Sequence, residues 1–270
     1  MPTASCPLRR SADSPGSVAI GWLNAESLRN KTDDVNLAIT ERSLDVLALT
    51  KTWHTASDDN CLRLATPSDY AVTRPSHRGG GIAVIFRKRW KCATLKTPTC
   101  STFEVFAVRL TTDSGPFVVV IVYRPGSDHL RTQFFDELST LLETLVVYAC
   151  PVLVGANFNI KTQSSNDPSA RRLADLLTSF DMVQHVQGPT HRSGNTLDVV
   201  VTPANCALDS VDVEPFGMLS DHSLIVSRLP FVVDAASMVE KLVRRWRRVD
   251  RNELRQALED SELCLSLIHI

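Results

Sequence analysis

A series of short polar clusters in this chain carries side chains that could do chemistry, and each lies at the edge of an apolar run. Asn24 closes the run that begins at Val18. Thr50, Lys51, Thr52 and Trp53 follow the run Val46–Leu49, and Tyr123, Arg124 and Pro125 follow Phe117–Val122. Asn157, Phe158 and Asn159 come after Val152–Ala156. Thr190 and His191, then Thr196, Leu197 and Asp198, then Ser220, Asp221 and His222 stand towards the end. Strand ends in α/β folds present polar side chains to a crevice. Alone, each cluster has a plain structural reading: an Asn at a strand end is usually a turn residue, Tyr123 could pack on its strand, and Ser220–His222 could be a turn with Asp capping. Repeated at so many strand ends, they point to one shared crevice.

Positioning them requires strands. Val18–Asn24 and Val46–Leu49 read as buried strands, with a helix from about Ser27 to Arg42 between them. Further strands are expected at Tyr70–Thr73, Ile82–Phe86, Phe103–Leu110, Phe117–Tyr123, Val152–Val154, Leu197–Val201 and Ser223–Leu229. Helices are expected at Leu130–Val146 and Ser169–Phe180; the second carries Leu173, Leu176, Leu177 and Phe180 at helical spacing. Turn signals at Arg78–Gly81, Arg124–Gly126 and Arg192–Asn195 separate the strands. About nine strands and three helices imply packed sheets with helices outside, an α/β sandwich.

The chain has 270 residues, 43% hydrophobic and 22% charged, which excludes a largely disordered protein. Its net charge of -1 excludes binding to nucleic acid through a global positive field and leaves room for a local basic face. The longest apolar stretch, Leu145–Val154, is interrupted by Tyr148 and Pro151 and falls short of a membrane span. The N-terminus has no apolar segment of a secretion signal. The seven cysteines are scattered, without a C-x-x-C pair, so neither a disulfide framework nor a zinc site is expected, and an intracellular location, nuclear or cytoplasmic, fits. The expected organisation is a tail over 1–17, one domain over 18–230, and a charged helical linker over 231–264. In that linker Arg244, Arg245, Arg247, Arg248 and Arg251 surround Trp246; it reads as a solvated helix, with a phosphate-contacting arm as the sharper alternative. Residues 265–270 look like the in-frame translation of a sequencing-library end tag and are left out of fold reasoning.

In this order and spacing, Leu23–Leu28, Leu47–Trp53, Gly79–Val84, Val122–Pro125, Gly155–Asn159, Gly188–His191, Thr196–Asp198 and Ser220–His222 resemble the endonuclease/exonuclease/phosphatase superfamily. More narrowly, they resemble the apurinic-type endonuclease domain of LINE-like non-LTR retrotransposons, over roughly Val18 to Leu229. The resemblance implies a four-layered α/β sandwich with two packed mixed sheets flanked by helices. It also implies Mg²⁺-dependent hydrolysis (Mn²⁺ as an alternative) of a DNA phosphodiester, in a protein originally fused to a reverse transcriptase. On it, Asn24, the Lys51 position and Asp221 form the metal side. Tyr123 would contact the scissile phosphate, Asn157 and Asn159 would handle the attacking water, and His222, oriented by Asp198, would stabilise the transition state. Arg124, Thr190 and Thr196 are expected at the substrate. His185 and His191 are read as structural or surface residues, with His191 at the groove. Gly79–Gly81 is read as a tight turn and Trp53 as packing at the rim.

Two departures stand out. The family has a metal-ligating glutamate where this chain has Lys51, and an aspartate where it has Asn157. A protonated lysine has no lone pair and repels a cation, and loss of a positioned base commonly costs about 10²–10⁴-fold. Glu26 and Glu41 lie in the helix region before the second strand, so no nearby carboxylate is expected to restore either role. The sequence therefore implies an endonuclease domain with weakened metal binding and little turnover. A pseudoenzyme that grips phosphate through Lys51, or a phosphoesterase acting on another substrate, is the alternative.

Overall fold

The computed structural model describes residues 16–52, 59–75, 81–126, 129–217, 219–231, 252–253 and 255–256. Trp53, Gly79, Gly80 and the arginine-rich stretch 244–251 lie outside these. The strands are β1 (Ser17–Asn24), β2 (Val46–Thr50), β3 (Tyr70–Thr73), β4 (Ala83–Arg87), β5 (Lys91–Thr94), β6 (Glu104–Thr112), β7 (Gly115–Tyr123), β8 (Val152–Asn157), β9 (Met182–Gln184), β10 (Asp198–Pro203), β11 (Ser210–Val213) and β12 (Ile225–Pro230). The helices are α1 (Thr32–Glu41), α2 (Asp59–Ala65), α3 (Thr132–Leu145) and α4 (Pro168–Ser179). They belong to a unit spanning residues 1–232; within residues 233–270, Asn252, Glu253, Arg255 and Gln256 are helical.

Two six-stranded mixed sheets run in the orders β11-β12-β1-β2-β4-β3 and β5-β6-β7-β8-β10-β9. Each contains one parallel pair joined through a helix, β1–α1–β2 in the first and β7–α3–β8 in the second, and all other pairings are antiparallel. Side-chain alternation divides the apolar residues into three layers. Val18, Ile20 and Trp22 of β1 meet Val119, Ile121 and Leu153 between the sheets. Ala19 and Leu23 face the layer holding Val35 and Ile39 of α1 and Leu62 of α2. Val118, Val120 and Val122 of β7 pack under Phe134, Leu138 and Leu142 of α3 and Leu173 of α4. The result is the four-layered sandwich that the sequence implies.

The two sheets are keyed together at one close approach. A Cβ added at Gly155 would lie 1.9 Å from the Trp22 ring, so only glycine admits the indole there. Trp22 Nε1 donates to Ser227 Oγ at 2.9 Å, satisfying the buried N–H.

The structure differs from the sequence reading in four elements and one boundary. Strands β5, β9 and β11 were not expected; each is three or four residues long and lies at or next to a sheet edge, where no apolar run is needed. The short helix α2 is likewise additional. Helix α1 begins at Thr32 rather than near Ser27, because Glu26, Ser27 and Asn30 take φ of 48°, 92° and 65°, outside the helical region. Among the described residues no helix is long and apolar enough to cross a membrane. Cys61, Cys92, Cys100, Cys150 and Cys206 are free thiols.

Candidate active site

The alternation that fills the seam between the sheets also fixes the polar groups at its end. Asn24 is two residues beyond Trp22, Tyr123 two beyond Ile121, Asn157 two beyond Gly155, and Asp198 two before Val200. All four sit on the seam-facing side of their strands. Asn24 is level with Thr50 in the parallel pair of one sheet, and Tyr123 with Asn157 in that of the other. Antiparallel β10 starts there, with Asp198 opposite Asn157. The crevice thus opens at the carboxyl ends of both parallel pairs, where open α/β sheets bind ligands.

His222 joins the two sheets. Its Nδ1 donates to Asp198 Oδ2 at 2.7 Å, and Asn24 Nδ2 lies 3.2 Å from its Nε2. With its Nδ1 hydrogen directed at Asp198, the ring turns Nε2 towards the Asn24 amide. Asp198 is further held by Asn157 Nδ2 at 2.6 Å and by the Thr190 hydroxyl at 2.8 Å. Asn24, Asn157, Asp198 and His222 are all under 9% exposed, so these bonds form in a low-dielectric setting.

His191, read from sequence as structural or at the groove, belongs to the crevice itself. The backbone N–H of Ser193 donates to its Nδ1 at 3.1 Å, so Nε2 carries the hydrogen and donates to Asp221 Oδ2 at 3.1 Å. The His191 and His222 rings meet edge to face at 4.7 Å. Burial pushes the Asp221 carboxyl up, but a hydrogen bond from Glu26 together with His222 and His191 holds it below the usual aspartate value. The contact with Glu26 corrects the sequence reading, which placed no further carboxylate near the site. The signal was there in the two-residue spacing from Asn24, but the helix expected from Ser27 hid it.

Other expected site residues are engaged differently. Arg124 was expected at the substrate; it is 5% exposed, and its guanidinium donates to the carbonyls of Phe158 (2.6 Å), Pro125 (3.0 Å) and Asn159 (3.2 Å). It braces the turn that carries Asn159, rather than reaching into the crevice. Thr196 Oγ1 donates to the Gly188 carbonyl at 2.6 Å, and Thr190 Oγ1 accepts the backbone N–H groups of Leu197 and Asp198 at 3.0 Å. Both threonines shape the loop behind Asp198. Asn159, with φ of 52°, donates from Nδ2 to Asn157 Oδ1 and to the Arg124 carbonyl, each at 2.7 Å. Lys51 has φ of 50°, and its Nζ lies 5.8 Å from the centroid of the Tyr123 ring. His185 is apart from the site; its Nε2 is 2.8 Å from Thr202 Oγ1, and burial pushes its ring below the usual histidine value.

The donor set tests whether a metal ion fits. His191, Asp221 and His222 each bring one ligand-type atom within 4.8 Å of the others. The proton on His191 Nε2 and the Asn24 amide at His222 Nε2 occupy both ring nitrogens. What is left without a partner among the described residues is oxygen: Asn24 Oδ1 and Asp221 Oδ1 are both buried. Unpaired buried oxygens beside a carboxyl pair suit a hard cation such as Mg²⁺ or Mn²⁺ rather than zinc.

Residues 117–226 match the model of a family described as endonuclease-reverse transcriptase. Solved structures of the same fold include the endonuclease domain of TRAS1, a telomere-specific non-LTR retrotransposon (12% identity, TM-score 0.65, covering 80% of this chain and 99% of that one). An AP endonuclease from Leishmania major aligns at 13% identity and TM-score 0.64, over 83% of this chain and 92% of its own. The human Nocturnin catalytic domain aligns at 15% identity and TM-score 0.57, over 80% and 94%. No curated protein sequence matches the chain.

Proposed function

We propose, from its fold and from the match over residues 117–226, that the chain is a phosphodiesterase domain of the endonuclease/exonuclease/phosphatase type, of the retrotransposon endonuclease kind. Its substrate is DNA, its reaction is strand nicking assisted by Mg²⁺ or Mn²⁺, and its turnover is low. The observation that carries this reading is the hydrogen bond from His222 to Asp198 across the two sheets, with Asn24 and Asp221 beside it.

The roles follow from the contacts. Asp198 holds the Nδ1 hydrogen of His222 and stabilises the imidazolium that would offer Nε2–H to a phosphate oxygen as negative charge develops. His191 orients Asp221 through its Nε2–H. Asn24 and Asp221 supply oxygens for a divalent cation, whose charge would offset that of the phosphate. Asn157 limits the reaction. Its Oδ1 accepts from Asn159 and its Nδ2 donates to Asp198, and a neutral amide is too weak a base to take a proton from water. The match to the endonuclease-reverse transcriptase family supports an origin beside a reverse transcriptase and a nucleic-acid substrate.

Nicking of supercoiled plasmid with Mg²⁺ tests the reading, comparing the parent chain with the Lys51→Glu/Asn157→Asp double variant. Faster nicking by the double variant supports it, and no nicking by either folded chain sinks it. A second reading, a phosphate-gripping pseudoenzyme, is favoured by the Lys51 ammonium beside Tyr123 at the crevice. It requires DNA binding that weakens steeply with salt and shows no turnover in either chain.

A further inference from the structure

Beside the crevice lies a second recess. Among the described residues, the stretch 97–105 and Pro125 border a groove of about 560 Å³, within the size range of small-molecule sites. Its place follows from the register of the second sheet. Glu104 stands opposite Tyr123 in the β6–β7 pair, and Pro125 is two residues past Tyr123. Glu104 also lies two residues before Phe106, whose side chain fills the seam between the sheets. It therefore extends that face of β6 by one step, as Tyr123 does on β7, and the groove adjoins the crevice there.

The wall of the groove is held in shape from α3. Glu137 accepts the backbone N–H and hydroxyl of Ser101 at 3.0 and 2.8 Å, and those of Thr102 at 2.9 and 2.6 Å. Gln133 donates to the Ser101 hydroxyl at 2.8 Å, and the Phe103 ring meets Phe134 edge to face at 5.7 Å. A wall fixed in advance loses less freedom when a ligand binds.

The chemistry of the lining narrows the ligand. With no Lys or Arg among the described residues that line it, the groove offers a phosphate no cation. Burial and Glu137 push the Cys100 thiol up to about 11, so it stays neutral at physiological pH. The lining supplies a carboxylate at Glu104, hydroxyls at Thr97 and Thr99, and the apolar rings of Pro98 and Pro125. A carboxylate only accepts, so it recognises a group that brings N–H donors. The amino edge of cytosine is such a group, and its flat faces can lie against apolar side chains. A phosphate seated in the crevice carries a nucleoside on each side, which brings a base to a recess that adjoins it.

We propose that this groove is a base-reading subsite: it seats a nucleobase flanking the phosphate in the crevice, and Glu104 selects cytosine over thymine through the amino group. This rests on the reading of the crevice as a DNA phosphodiester site and adds a sequence preference to it.

The test is titration of the full chain with deoxycytidine and with thymidine, which carry base and sugar without phosphate, followed by saturation-transfer difference NMR. Deoxycytidine should bind saturably and thymidine ~10-fold more weakly, the scale of one good base contact. Glu104→Gln should bring the two to within about twofold of each other, since the amide both donates and accepts. Thr99→Trp fills the groove from an exposed position and should remove binding of both. Circular dichroism and melting check that each variant is folded. No saturable binding by the parent, equal affinity for the two nucleosides, an unchanged preference in folded Glu104→Gln, or parent-like binding by folded Thr99→Trp overturns the inference. Plasmid nicking separates it from the functional reading. Groove-dependent deoxycytidine binding without nicking by the parent or by Lys51→Glu/Asn157→Asp removes the hydrolase and leaves the base site standing. Nicking without nucleoside binding does the reverse.

Discussion

Asn157 donates from Nδ2 to Asp198 Oδ1 across 2.6 Å, with both residues under 9% exposed. The amide that stands where the resembled family has an aspartate therefore also stabilises the carboxylate that orients His222. Asn157→Asp would put two carboxylates at that distance in a buried place, where one of them keeps a proton. The proton-bound folded state loses stability as pH rises. Melting across pH should show the variant close to the parent at low pH and about 1–3 kcal/mol less stable at high pH, the scale of a lost buried hydrogen bond to a charged group. An unchanged difference across the pH range would refute the pairing.

His222 and Asp198 act as one unit in the proposed chemistry. In the Lys51→Glu/Asn157→Asp background, His222→Ala should lower plasmid nicking by about 10²–10³-fold, as for loss of a charge-stabilising donor. Adding Asp198→Asn to His222→Ala should cost little more, because grouped residues are not additive. A multiplied loss would mean that Asp198 acts outside the dyad.

The seat of Trp22 on Gly155 gives a stability test. Gly155→Ala forces a methyl to within 1.9 Å of the indole, and the expected loss is about 3 kcal/mol, at the upper end for overpacking. Trp22→Leu alone should also destabilise. The double variant should melt above the sum of the two losses, since neighbours that share one space are not additive.

Glu137 on α3 gives an acid-limb test. Burial pushes its carboxyl up, but hydroxyl and backbone donors of Thr102 and Ser101 hold it at about 2. A depressed carboxylate contributes stability above its unfolded value and loses it as pH falls towards 2. Glu137→Gln should lower the melting temperature at neutral pH and flatten its decline in acid. The side chain is half-buried at the surface, so the effect should be small and shrink with salt. Equal slopes for both chains would show that these bonds contribute nothing.

Much of the crevice was legible in the sequence because strands repeat every two residues. Asn24, Tyr123, Asn157 and Asp198 each extend an alternating apolar face by one step, so the pattern that buries Trp22 and Val200 also aims the polar residues. The elements that escaped lack such a pattern. Strands β5, β9 and β11 are short and close to sheet edges. Glu26 was invisible as a site residue because its position depends on backbone bonds to β2, which no local periodicity encodes. Arg124 was misplaced for a related reason: a buried guanidinium bound to three carbonyls has the same sequence signature as one facing a phosphate.

The strand order also has a consequence for synthesis. Strands β5 to β10 are consecutive and complete one sheet, whereas β1 pairs with β12, Ser17 opposite Pro230, so the first sheet closes only when the end of the domain has been made. At ~5–20 residues per second, the first strand emerging from a ribosome waits about 10–40 s for its partner. Asp221 and His222 precede that last strand, so the last crevice residues and the closure of the fold arrive together. The crevice of a nascent chain therefore stays incomplete until the whole sandwich exists.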